Sequence, residues 1–284
     1  MTTIPMSTGI LSNAMEKMIL LHVFKNASTA GSVAYMAFYT TNPTDSDVGT
    51  EVSSASYARE NVIGKWDVST TSGCAWNKNT ILFNSASLPG WSFSYFGVKN
   101  GSATGGNSGC MLFYGYVRDG DIFRNLYLQE YVSFLPGSIG VSITGCMSPY
   151  LAGKLLDHYL NNNNFATPGS AIYAGLFWNP SSWNSKYTTS GSEELSGSIG
   201  YCRIPCGGAG SWVSPGVTGG STRNAGHITF VQSSPCPLYV NGVTLYSAGS
   251  GGEKLFQEYL AKPKYVELSA GFRISASQLK VVLD

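Results

Sequence analysis

The chain has 284 residues, with 17 Lys plus Arg against 16 Asp plus Glu, a formal net charge of +1, and only 12% charged residues. A chain so close to neutral has no field to draw it to phosphate backbones, so nucleic acid is not an expected partner. Its length suffices for two ordinary cores without disulfide or metal staples, and no apolar run approaches the roughly 20 residues that cross a bilayer.

The 34 glycines, with abundant Ser, Thr, Asn and Tyr, point to many short strands joined by turns. The N-terminus lacks a basic segment followed by an apolar signal core, so synthesis in a cytoplasm and no membrane association are expected. The cysteines at 74, 110, 146, 202, 206 and 236 form no CxxC pair and do not recur at equivalent places along the chain. They read as small buried hydrophobes; the Cys202–Cys206 spacing fits no standard metal or redox pair.

In chain order, residues 1–9 show no periodicity and read as an arm or ordered extension. Leu11, Ala14, Met15, Met18, Leu21 and His22 recur at three- and four-residue steps, which predicts a helix over about 12–26. The apolar and aromatic run from Val33 to Thr41 reads as a buried strand ended by Asn42-Pro43, because proline cannot donate to the ladder beyond it. An acidic turn with Asp45, Asp47 and Glu51 follows, then extended segments at 58–63, 80–84, 93–98, 111–117, 122–128, 131–135 and 139–143. The glycine-rich stretch 100–106 falls between two of them and reads as a hairpin loop.

The second half repeats this plan. Ser148 as N-cap with Pro149 at the first helical position starts a helix that Asn161 to Asn164 would stop. Ala171 to Pro180 repeats the first strand, and Glu193-Glu194-Leu195-Ser196-Gly197 leading to Tyr201-Cys202-Arg203 repeats the segment after the turn. Trp66 answers to Trp212, Ile81 to Ile228, Leu112-Phe113 to Leu255-Phe256, and Gly251-Gly252 falls where the earlier glycine-rich loop does. The expected architecture is therefore mainly β: two tandem β-sandwich or jelly-roll-like domains, each preceded by a short α-helix, over residues 1–145 and 146–284.

The search for chemistry yields little. His22 and His158 occupy equivalent helices in different halves and His227 has no counterpart, so neither a histidine cluster nor a Ser/His/Asp set is expected, and the two helical histidines read as packed residues. Asp45, Asp47 and Glu51 have the composition but not the spacing of a calcium loop, and the glycine pairs lack the lysine and helix of a phosphate cradle. Catalytic residues, cofactors and metals are accordingly not expected. The most informative charges are Glu51 with Arg59 and Glu194 with Arg203, which span the same turn in each half and read as cross-strand pairs that fix register. Trp91, Trp178 and Trp183 lie near turns and are candidate interface aromatics.

At Thr40-Thr41-Asn42-Pro43, Asp45 through Ser53 and Tyr57-Ala58-Arg59 the sequence resembles a group of small bacteriophage virion proteins, the tail-fibre-like proteins. The match covers most of the first half; the second keeps Asn179-Pro180, Glu194 through Gly197 and Tyr201-Cys202-Arg203. The resemblance implies a non-enzymatic structural part of the virion, made in the host cytoplasm. Such a part would dock on other virion proteins of capsid, neck or tail, as decoration, cement or fibre component, and would be open to homo-oligomerisation. The alternative is a fibre or adhesin module that binds a host receptor or glycan through exposed loop aromatics.

Overall fold

In a computed structural model the chain is mainly β, with two α-helices among the described residues. The structure describes residues 2–3, 7–25, 27, 33–53, 57–83, 92–102, 109–117, 124–125, 132–143, 146–168, 171–177, 194–195, 201–215, 220–231, 238–266 and 271–283. The segments around the expected boundary at Gly145, the glycine pair at 105–106 and the loop over 183–193 lie outside them.

Helix α1 (Asn13–Lys25) and helix α2 (Pro149–Asn161) start by the same device. Ser12 Oγ accepts from the Met15 amide at 3.2 Å and donates to the Met111 carbonyl. Ser148 Oγ accepts from the Leu151 amide at 3.2 Å and donates to the Lys254 carbonyl at 2.5 Å. Each cap thus satisfies an orphan donor of its helix and pins it to a strand. Asn162, at φ 59°, closes α2 in the left-handed conformation that Asn tolerates.

The largest sheet has eight strands, in the order Glu60–Asn61, Tyr35–Tyr39, Tyr95–Lys99, Met111–Tyr116, Ser7–Leu11, Ile139–Ser142, Cys74–Asn77 and Trp66–Ser69. Ser7–Leu11 runs antiparallel to Met111–Tyr116 and parallel to Ile139–Ser142, so a segment expected to be an arm or ordered extension is a strand that joins the two sides of the sheet. Backbone pairing makes that join, and backbone pairing leaves no side-chain periodicity to read. The Trp66–Ser69 and Cys74–Asn77 hairpin, turned at Gly73 with φ 67°, is a second addition to the expected strands.

The second half builds a four-stranded sheet, Ile204–Pro205, Tyr173–Phe177, Leu238–Tyr246 and Lys254–Val266. Ser221–Arg223 pairs with Lys280–Val282, and Ile228–Phe230 with Phe272–Ile274, as Ile81–Phe83 pairs with Val132–Phe134 in the first half.

One buried cluster runs from Leu11 to Leu283 and takes residues from both halves. The helices are the reason: each packs on its own half and on the other. Helix α1 contacts Met111–Tyr116 and also Ser221–Arg223, while α2 contacts Lys254–Val266 and also the Trp66–Asn77 hairpin. Helix ends make the crossing reciprocal. Lys25 Nζ donates to the Trp212 carbonyl at 2.9 Å and to that of Ala209. Asn161 accepts from the Trp66 amide at 3.3 Å and donates to its carbonyl at 3.2 Å.

Candidate functional site

Polar groups concentrate beside the first long strand of each half. Glu51 bridges to Tyr39, Arg59 precedes the short strand Glu60–Asn61, and Tyr57 stands between. Arg59 Nε donates to Glu51 Oε1 at 2.8 Å and Nη2 to Oε2 at 2.7 Å, a bidentate pair whose side chains are 0% and 6% exposed. The third arm of the guanidinium donates to the Gly101 carbonyl at 2.6 Å, tying down the start of the glycine-rich loop. Tyr57 donates to Glu51 at 3.2 Å and accepts from the Phe38 amide at 2.9 Å.

The second half repeats these bonds. Arg203 grips Glu194 at 2.7 and 2.6 Å and donates to the carbonyls of Ala248 (2.7 Å) and Gly251 (2.5 Å). Tyr201 donates to Glu194 at 3.2 Å and accepts from the Leu176 amide at 2.7 Å. Arg203 also lies 3.4 Å from the centre of the Tyr246 ring. This pair is more open, at 8% and 18% exposed.

Burial, then the nearby carboxylates, push the hydroxyls of Tyr57 and Tyr201 above the usual phenol range. For the arginines burial opposes charge, and the bonds to glutamate outweigh it, leaving both more firmly cationic. These are closed sets of partners: every guanidinium edge is engaged within the chain.

The acidic turn is held over the outer face of the large sheet. Asp45 accepts from the Tyr114 hydroxyl at 2.5 Å; Asp47 accepts from Tyr39 at 3.2 Å and takes the buried Lys99 ammonium at 2.6 Å. The turn is solvated at Asp45, Ser46, Val48 and Thr50, while Asp47 is half-buried, and its two aspartates take three protein donors.

The two helical histidines require a correction. Expected to stay apart in separate halves, His22 and His158 meet with ring centres 4.8 Å apart, because α1 and α2 cross between the halves. His22 Nε2 donates to the Phe165 carbonyl at 3.0 Å, while its Nδ1 is buried with no hydrogen-bond partner. Burial, with the nearby His158 second, lowers the His22 pKa to about 4. His227 lies elsewhere, beside Arg273. Among the described residues no three His, Cys, Asp or Glu side chains converge as metal ligands. Cys202 and Cys206 are free; burial pushes the Cys206 thiol up to about 12.

Sequence reasoning singled out the Glu–Arg pairs but not the residues that complete the repeat. Asn77 bonds the carbonyls of Asn79 and Leu135 and the amide of Ile139; Asn224 bonds those of Gly226, Ser275 and Leu279 in the same pattern. The signal was present, because Asn-x-x-x-Ile-x-Phe occurs at 77–83 and at 224–230. Trp91, Trp178 and Trp183 lie outside the described residues.

The model of a family described as Podophage GP4 fiber I protein gp80 matches residues 10–121 and, separately, 146–282. No curated protein matches the chain.

Proposed function

The chain belongs to the podophage GP4 fiber I protein gp80 family, and from that membership we propose that it is a non-enzymatic structural part of a phage particle, docking on capsid, neck or tail. We propose further that residues 1–145 and 146–284 are two copies of one pattern, in which the Glu51–Arg59 and Glu194–Arg203 pairs fix the register of the surrounding strands. The observation that carries this reading is the duplicated clamp: glutamate, tyrosine and arginine make the same bonds in both halves, and those bonds hold backbone and loops rather than face a cleft. Groups arranged in this way build a rigid surface. Within each clamp the glutamate is matched to an arginine and a tyrosine, not set opposite a second carboxylate as bond hydrolysis requires.

Mass spectrometry of gradient-purified particles tests the reading. The chain should be present at fixed stoichiometry with the other structural proteins; its occurrence in infected-cell lysate alone would refute a virion role.

A glycan-binding fibre is the second reading. Tyr95 and Tyr116 pair directly across neighbouring strands on the outer face of the large sheet, with ring centres 4.8 Å apart, and Tyr116 is 56% exposed. Exposed rings of this kind suit sugar faces. Binding on an array of host glycans that disappears in Tyr116→Ala would favour it over a purely structural role.

A further inference from the structure

Asn77 and Asn224 make matching bonds, so the cross-strand rows beside them compare directly. In the first half Asp67, Trp76 and Gly140 stand opposite one another on three neighbouring strands. Trp76 covers Gly140 so closely that a Cβ there would fall 2.3 Å from the indole Cζ3. The row beside Asn224 is Val213, Arg223 and Lys280: the Val213 amide donates to the Arg223 carbonyl at 2.8 Å, and Arg223 stands opposite Lys280 in register. An acid, an aromatic ring and a glycine in one half thus answer to a valine and two cations in the other, and all three of the latter are exposed.

Like charges set directly opposite across an antiparallel pair repel each other. Here the pair is short, Ser221–Arg223 against Lys280–Val282, so few ladder bonds offset that repulsion. Among the described residues neither cation meets a carboxylate. Both line a cavity of about 330 Å³ together with Ser214 and Ser221, and no acidic side chain contributes to its wall. The Thr222 hydroxyl on the same wall is already committed, donating to the Val213 carbonyl at 2.6 Å. A guanidinium, an ammonium and two serine hydroxyls are left as donors around one space.

We propose that this cavity binds a tetrahedral oxyanion, phosphate or sulfate, either free or as an ester. The guanidinium fork suits two of its oxygens, the ammonium supplies a compact charge, and the serine hydroxyls donate to the oxygens that remain. A carboxylate offers only two oxygens and would leave the hydroxyls unmatched. An anion seated between Arg223 and Lys280 also turns their repulsion into two attractions, which links binding to stability. The inference holds whichever virion component the protein docks on.

Isothermal titration calorimetry of the full chain with inorganic phosphate, glucose 6-phosphate and glucose, each against chloride at equal ionic strength, tests it. Phosphate should bind and raise the thermal midpoint; glucose and chloride should do neither. Equal affinity for the two phosphates would support the free ion as ligand, and tighter binding of the sugar phosphate would support an ester. Arg223→Gln/Lys280→Gln, with unchanged circular dichroism, should weaken phosphate binding about tenfold or more and abolish the rise in midpoint. Lys262→Gln/Lys264→Gln removes the same charge from exposed positions elsewhere and should bind like the wild type. A wild-type chain that binds neither phosphate would overturn the proposal. So would an Arg223/Lys280 variant of undiminished affinity, or an equal loss in both double variants.

Discussion

Arg59 and Glu51 form a pair removed from water, which makes either partner costly to delete alone. Arg59→Ala leaves the Glu51 carboxylate buried beside the Tyr57 hydroxyl without its cation, and a broken buried pair costs about 3–5 kcal/mol. Urea unfolding should show that loss. Arg203→Ala should cost less, because water reaches the second pair. Glu51→Gln with Arg59→Met should recover much of the deficit, since no charge is then stranded. His22 gives a pH effect of definite sign. Its pKa falls from 6.5 to about 4 on folding, so the folded state favours the neutral ring. Stability is full above the unfolded value and erodes as pH drops through that window, by roughly 3 kcal/mol in total. His22→Gln should flatten the pH dependence of the urea midpoint between those limits; an unchanged slope would exclude His22 as its source. The glutamates and arginines were legible because a glutamate is followed by a Tyr-x-Arg run, its arginine eight residues on in the first half and nine in the second. Lys99 was not: its partner Asp47 lies 52 positions away, and lysine is ordinarily a surface residue. The meeting of His22 and His158 depends on how two helices cross, which no local pattern encodes.

At the scale of elements, the helices act as reciprocal fasteners. Asn161→Ala removes two bonds to the Trp66 backbone and one to Asp157. At about 1 kcal/mol per buried bond, the expected loss is roughly 2–3 kcal/mol. Hydrogen exchange should rise around residues 64–66, in the first half, although the substitution lies in the second. Exchange that changes only within α2 would contradict the crossing. Helix α2 was readable almost to the residue, since Ser148, Pro149 and Asn162 are local signals that act where they stand. Short strands such as Ile81–Phe83, Val132–Phe134 and Ile139–Ser142 were also readable, from apolar runs bounded by turn residues. Their partners were not, because pairing Ile81–Phe83 with Val132–Phe134 is a tertiary choice among many similar segments.

For the whole molecule, the continuous core and the crossed helices predict one cooperative unfolding event. Calorimetry should give a single transition with an enthalpy of about 200 kcal/mol, from ~0.7 kcal/mol per residue over the chain. Two transitions of half that size would mean that the halves unfold independently. The recurrence of glutamate, tyrosine, arginine, asparagine and tryptophan in both halves is legible in the sequence itself. How the two halves share helices was absent from it, because each helix has one apolar pattern that serves both of its partners. The most direct test of a structural role is a cryo-electron microscopy reconstruction of the intact phage particle. The account predicts density at capsid, neck or tail into which both sheets and the crossed helices fit as one body. A complete particle with every density accounted for by other chains would contradict it.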